Sequence, residues 1–317
     1  MSLEQELKAK AADLGFVACG ITDLAPVPHT AELDDWLARG YAGTMRYLQR
    51  QARRRKDPQR IVPEARSVVI ICDNYYYRQL GPQAIPQVAK YALGTDYHIA
   101  MRNRINNLAD WLMARGAKTA RPYVDAGPVP ERELAQRAGL GWIGKNTMLI
   151  APRAGSYFLI GAVFTDLALV TDAPFTEDHC GSCTRCLDAC PTGAFVGPRV
   201  LDATRCISYL TIEHRGDIPE TLADRFEGWA FGCDICNDVC PWNHKFSQES
   251  SRDEFRARPI WGTARNQDFF EKMGADEFAD LFGDTPLERP GLDGMRRNWR
   301  VAHRVAGEPG TGGGRGA

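Results

Sequence analysis

Eight of the chain's ten cysteines fall between positions 180 and 240. The first four, in CGSCTRCLDACP, are Cys180, Cys183, Cys186 and Cys190. Their spacing, C-x2-C-x2-C-x3-C-P, is that of a bacterial iron–sulfur run. A second set follows, with Cys206 alone and then Cys233, Cys236 and Cys240 in CDICNDVCP. It keeps C-x2-C-x3-C-P, but its first thiol lies upstream of a 26-residue insertion, 207–232. In two-cluster proteins the fourth cysteine of each run ligates the other cluster. Applied here, Cys180, Cys183, Cys186 and Cys240 hold one [4Fe–4S] cluster, and Cys190, Cys206, Cys233 and Cys236 hold the other. Zinc also accepts four cysteines, yet seldom in a triple run closed by Cys-Pro. Cys19 and Cys72 stand in apolar strand-like segments and read as small core residues. Two neighbouring clusters make a path for single electrons.

Other residues could receive those electrons or supply protons. Asp125 ends the segment RPYVD and precedes AGPVP, at a strand end where ligand-binding groups are often presented. Desolvated by apolar neighbours, a carboxyl there can hold a proton and donate it near neutrality. A turn aspartate bonded to its own backbone accounts for the same letters. In GTDYHIAM, Asp96 can cap a helix, leaving His98 either in a pocket or facing solvent. The sequence DYHIAM lacks the glycine of an Asp-x-His-x-x-Gly cobalt-ligating signature, so His98 is not expected to be an axial ligand. GLGWIGKN lets backbone approach a flat or phosphate-bearing cofactor, with Lys145 and Asn146 beside it; a tight turn would use the same glycines. Arg50 to Lys56 form the densest basic run, suited to a solvated helix end or to phosphates.

These groups need a scaffold. The chain has 317 residues, 44% of them hydrophobic, enough for real cores; Lys+Arg 39 against Asp+Glu 40 leaves a net charge of −1. That balance does not advertise nucleic-acid binding, though a local basic patch is compatible with it. No GxGxxG follows a strand and no GxxxxGK[ST] occurs, which argues against a Rossmann or P-loop site. No stretch reaches the length of a membrane span and no leader pattern opens the chain, so the reading is a cytoplasmic protein. Helices are expected at 2–15, 31–50, 96–115 and 131–138, and strands at 16–22, 67–72, 121–125 and 157–165. The run at 67–72 is continuously apolar, as in a sheet covered on both faces. The fold class is therefore α/β (α+β) over 1–170, followed by a two-cluster ferredoxin-like domain at 171–245. A short helical extension at 246–305 and a Gly-rich disordered tail at 306–317 complete the expectation.

Taken together, RRKDPQRIVPEARS, YALGTDYH, VDAGPVPERELAQRAGLGWIGKNTMLI, CGSCTRCLDACPTGA, RCISYLT and FGCDICNDVCPWN resemble the epoxyqueuosine reductase family. The resemblance spans about residues 5–245 and implies a form without the C-terminal helical-repeat domain of longer members. It implies cobalamin beside the two [4Fe–4S] clusters. The implied reaction is two-electron, two-proton reduction of epoxyqueuosine at the wobble position of tRNA. By the same resemblance Asp125 is the proton donor, and Tyr97 and His98 line the substrate pocket. Arg55, Leu149, Ile160, Ser208 and the Cys233–Asp234 peptide are similar to cobalamin-contacting positions; Lys145 and Asn146 join them from the glycine-rich loop. The implied partners are tRNA and an external low-potential electron donor, with the chain a monomer. A cobalamin-dependent reductive dehalogenase is the rival enzyme, and a ferredoxin-type carrier the rival of another class.

Overall fold

The computed structural model describes residues 1–78, 86–262 and 266–306. Helix α1 (Leu3–Asp13) begins at a capping box: Ser2 Oγ accepts from the Gln5 N–H, and Gln5 Oε1 accepts from the Ser2 N–H. Its Leu7 is fully buried, with Leu3 and Leu14 packed alongside. Strand β1 (Ala18–Thr22) follows. The single helix expected over 31–50 is two, α2 (Thr30–Ala38) and α3 (Arg46–Lys56). Gly40 and Gly43 between them take φ of +72° and +56°, which end a right-handed helix. A Cβ on Gly43 would stand 2.3 Å from the Tyr209 hydroxyl, so the break is also a close approach.

Strand β2 (Ser67–Asn74) has seven buried residues in succession. The two-residue β3 (Gln87–Val88) leads to α4 (Tyr97–Met113), whose N-cap is Asp96. Met101, Ile105, Leu108 and Leu112 face inward, whereas Ile99 turns out and is 43% exposed. Next come β4 (Ala120–Val124), α5 (Glu131–Arg137), the hairpin β5 (Trp142–Ile143) and β6 (Leu149–Ile150), and β7 (Phe158–Thr165).

The main sheet has the order β1-β2-β7-β4 and every pairing is antiparallel. Within the expected mixed class it thus takes the α+β form. Val69, Ile71 and Val163 point to α1 and α4; Val68, Ile70, Ala162 and Phe164 point to α5 and Val129. Both faces are covered, which explains the unbroken apolar run of β2. Each fully buried aliphatic side chain here contributes about 1.5–3 kcal/mol.

The cysteine-rich part is built of short pieces. Helix α6 (Arg185–Asp188), strands β8 (Phe195–Gly197) and β9 (Val200–Leu201), α7 (Ile207–Ile212) and α8 (Glu220–Ala223) come first. Strand β10 (Trp229–Phe231), α9 (Ile235–Asp238) and α10 (Pro241–Phe246) follow. Because β10 pairs in parallel with β3, this part is stitched to the segment that enters α4. Helices α11 (Ala275–Phe282) and α12 (Gly291–Ala306) share a core with β3 and β10, through Phe278, Phe282, Met295 and Trp299 against Val88 and Phe231. The helical extension is therefore packed on the cysteine part. The expected tail, beyond Ala306, lies outside the described residues.

Candidate active site and cysteine centres

Cys180, Cys183, Cys186 and Cys240 line one cavity of about 170 Å³, with Ile150 and Trp242 among its walls. Cys240 comes from the second run and stands with three thiols of the first. Mutual electrostatic influence links Cys186 to Cys180, Cys240 and Cys183. In the other group Cys206 feels Cys190, and Cys233 feels Cys236 and Cys206. The two groups meet where Cys236 faces Cys186. All eight thiols are free of disulfides. Among the described residues no three His, Cys, Asp or Glu side chains converge tightly enough for a single metal ion; Cys180, Cys183, Cys186 and Cys240 ring a space instead. Burial pushes the Cys186 thiol up to about 11 and that of Cys236 well above the ordinary range. Thiols so placed become thiolates only against strong positive charge, as a metal cluster provides.

The glycine-rich loop serves these cysteines. Gly139, at φ +77°, brings its Cα so near Ala173 that a Cβ would lie 2.7 Å from the Ala173 carbonyl oxygen. Lys145 Nζ donates to the carbonyls of Gly181 (2.6 Å) and Cys183 (2.9 Å). Asn146, 3% exposed, donates to the carbonyl of Cys236 at 3.3 Å. The Trp142 indole N–H points at Cys180 Sγ, 3.5 Å away. The side chains of Lys145 and Asn146 are thus engaged by the cysteine loops, and both residues line the cavity ringed by Cys180, Cys183, Cys186 and Cys240.

A second constellation lies where α4 begins and β4 ends. Asp125 takes φ +45°, a left-handed conformation that aspartate tolerates better than most residues. The Tyr97 hydroxyl donates to Asp125 Oδ2 at 2.5 Å. Asp125 is exposed, so the expected burial among apolar neighbours is not found, although Val124 before it and Pro128 and Val129 after it turn inward. Burial, reinforced by the Asp125 charge, pushes the Tyr97 phenol well up and keeps it a donor. The His98 ring stacks on Tyr97 with centroids 4.2 Å apart, and its Nδ1 is 2.8 Å from Asp96 Oδ1. That hydrogen bond holds the imidazole above its usual range against the opposing effect of burial. His98 is half-buried in this contact, between the two alternatives open to it.

Arg55, in the last turn of α3, donates to the carbonyls of Gly127 (3.1 Å) and Val129 (3.3 Å) and so grips the Asp125 loop. Its Nε is buried without a partner. Leu149 is 2% exposed and packs with partly buried Ile160 in the core beneath that loop. Ser208 hydrogen-bonds toward the Cys206 thiol through its N–H and hydroxyl. The Asp234 side chain, 3% exposed, accepts from the Lys90 N–H at 2.7 Å and turns inward.

Sequence reasoning passed over Glu131, Lys90 and Tyr91. Glu131 opens α5; burial first, then the Asp125 charge, pushes its carboxyl up to about 7. The available signal was its place in VDAGPVPERE, six residues after Asp125. Lys90 and Tyr91 directly precede ALGTDYH; the Tyr91 ring meets Tyr97 edge-on at 6.0 Å.

Two groups of four thiols, with a carboxylate, a phenol and an imidazole brought together at the start of α4, define an iron–sulfur oxidoreductase. A family model described as a 4Fe-4S double cluster binding domain matches residues 179–243, and one described as epoxyqueuosine reductase QueG, DUF1730, matches 55–126. Epoxyqueuosine reductases from Pseudomonas aeruginosa and Cellulophaga algicola are 40% and 38% identical, over 94% and 92% of this chain and 84% and 95% of theirs. The crystal structure of an epoxyqueuosine reductase with an epoxyqueuosine-modified tRNA-Tyr stem loop matches with TM-score 0.87 at 30% identity, over 96% of this chain and 81% of that one. The Bacillus subtilis enzyme, solved with its aspartate-bearing catalytic loop swung out of the active site, matches with TM-score 0.85 at 29% identity over the same shares. The chain belongs to the epoxyqueuosine reductase family. No described helix is long and apolar enough to cross a membrane.

Proposed function

We propose that this chain reduces epoxyqueuosine to queuosine in tRNA, removing the epoxide oxygen as water with two electrons and two protons. The observation that carries the reading is the Tyr97–Asp125 hydrogen bond, at the edge of a half built to hold two clusters. Both carbon–oxygen bonds of the epoxide break, so its oxygen must be protonated as it leaves. Asp125 is the donor at that oxygen. Tyr97 orients the Asp125 carboxyl, and His98, paired with Asp96, keeps the Tyr97 ring in place. Arg55 fixes the loop from behind. Asp125 is exposed, and a relative's catalytic loop can swing out of its active site; both fit a loop that closes over substrate and excludes water.

Cys180, Cys183, Cys186 and Cys240 would hold one [4Fe–4S] cluster and Cys190, Cys206, Cys233 and Cys236 the other, and the cavity ringed by the first four supports that crossed pairing. Cobalamin, when bound, supplies a cobalt centre able to accumulate the pair of electrons that clusters pass singly. The buried, unpartnered Nε of Arg55 is a donor fitted to an acceptor on such a group, with Leu149, Ile160 and Ser208 as further contacts. The Cys233–Asp234 peptide contributes through its backbone, since the Asp234 side chain turns inward. The protein works in the cytoplasm as a monomer, with electrons from an external low-potential donor.

The test is nucleoside analysis of tRNA from a strain that accumulates epoxyqueuosine, incubated anaerobically with reductant and the reconstituted chain. Queuosine should replace epoxyqueuosine. A chain with both clusters and bound cobalamin that leaves epoxyqueuosine untouched would overturn the reading.

A further inference from the structure

Behind the second cysteine run lies a buried cation that the proton chemistry above does not use. Lys90 is 9% exposed. Its Nζ donates to Asp238 Oδ1 at 2.6 Å and lies 3.5 Å from Asp234 Oδ2, the oxygen that also accepts its backbone N–H. Both carboxylates belong to the ligand loop: Asp234 stands between Cys233 and Cys236, and Asp238 between Cys236 and Cys240. Tyr157 donates to the same Asp238 oxygen, and the Lys90 ammonium lies 5.3 Å from the Tyr157 ring centroid. Burying the charges of Lys90 and Asp234, with Asp238 half-buried beside them, carries a desolvation penalty of several kcal/mol for each buried ion, and well-packed apolar residues commonly serve stability as well or better. The arrangement calls for a role that uses charge.

Anionic thiolates and two carboxylates share this low-dielectric space, and all of them oppose an added electron. Lys90 is the cation facing both carboxylates. We propose that Lys90 sets the reduction potential of the cluster held by Cys190, Cys206, Cys233 and Cys236, as the positive counter-charge to Asp234 and Asp238. The inference rests on the ligand sets assigned under the proposed function. The step concerned adds one electron to the cluster, with no proton and no bond made or broken. Lys90 is a positioning and tuning residue, touching neither substrate nor a reacting atom. Its neighbour Tyr91 packs against Tyr97, so the same short segment joins the cluster loop to the Tyr97–Asp125 pair.

The test uses the full chain, reconstituted anaerobically, with iron and sulfide counted and each cluster's midpoint followed by EPR-monitored redox titration. Lys90→Met should lower one midpoint so that the reduced-to-oxidised ratio at fixed potential falls about tenfold, ~59 mV for a one-electron couple. Asp238→Asn, which removes a negative charge but keeps an acceptor for Tyr157, should move the same midpoint upward. Lys90→Arg should leave it in place. Opposite shifts from the two charge deletions are an outcome that a merely structural clasp would not produce. Two intact clusters with unmoved midpoints, or shifts of the same sign, overturn the proposal. If Lys90→Met fails to take up a cluster, the upward shift in Asp238→Asn and the unchanged Lys90→Arg still decide it. Wild-type protein lacking two four-iron clusters would instead refute the ligand assignment.

Discussion

The phenolic oxygen of Tyr97 donates to Asp125 Oδ2 at 2.5 Å, tying the first residue of α4 to the loop that leaves β4. Asp125 is held there in a left-handed backbone conformation, which asparagine shares readily and alanine does not. Asp125→Asn therefore keeps the loop while removing the acid. It should reduce single-turnover conversion of epoxyqueuosine-tRNA by at least about 10²–10⁴-fold, with iron content and cobalamin retention unchanged. Tyr97→Phe deletes the hydrogen bond that orients the Asp125 carboxyl, about 0.5–1.5 kcal/mol, and should slow the same step about 2–10-fold. Normal turnover in either variant removes that residue from the chemistry.

The crossed grouping of thiols makes a prediction about which cluster disappears. Cys240 shares a cavity with Cys180, Cys183 and Cys186, although Cys236 is nearer to it in sequence. Cys240→Ala should perturb or remove the cluster of the first run, and Cys236→Ala the other. Mössbauer or EPR spectra of the two reconstituted variants should then differ, each keeping what the other loses. Loss of the same signal from both would mean that Cys240 and Cys236 serve one cluster.

Much of this was legible because it is written locally. Cluster ligands are spaced by the geometry of the turn that carries them, so C-x2-C-x2-C-x3-C-P can be read without a fold. The Asp96 cap of α4 is equally local. What escaped depends on distant partners. Gly43 breaks the expected long helix partly because Tyr209, far along the chain, needs its space. Lys145 and Asn146 bind carbonyls of Gly181, Cys183 and Cys236, and no local pattern announces that. The antiparallel sheet order was hidden because β2 is apolar on both faces, as parallel strands usually are. The inward turn of Asp234 waits on Lys90, from another part of the chain.

Glu131 gives the protein a pH dependence of unusual sign for a carboxylate. Its pKa rises from 4.5 to about 7 on folding, chiefly through burial, so between those values the folded chain holds a proton that the unfolded chain does not. Relative to higher pH, the stabilisation is complete below the unfolded value and is lost as pH rises through about 7. The whole effect amounts to at most about 3 kcal/mol. Glu131→Gln should remove it. In urea unfolding of the anaerobic holoprotein, the variant should gain stability over wild type at pH 8 and little at pH 5. Parallel curves for the two proteins would show that Glu131 ionises as it does in water.

The basic run at the end of α3 divides into two jobs, and they can be separated experimentally. Lys56 is paired with Asp34, and Arg55 is turned onto the Asp125 loop. Arg50, Arg53 and Arg54 lie three and four positions apart on one helix face and have no ion-pair partner among the described residues. All three are exposed. Free cations on one face are what a phosphate backbone requires, and each phosphate neutralised by such a cation adds about 0.7–0.9 to the log–log salt slope of binding. Reversing all three charges to Glu should therefore flatten that slope and weaken binding of an anticodon stem loop most strongly at low salt. Cobalamin retention should not change. Arg55→Gln should do the reverse, leaving the slope of stem-loop binding intact while slowing conversion, because the freed carbonyls of Gly127 and Val129 no longer hold Asp125 beside Tyr97. If the triple variant binds with wild-type affinity and slope, those arginines are a solvated surface and the tRNA lies elsewhere.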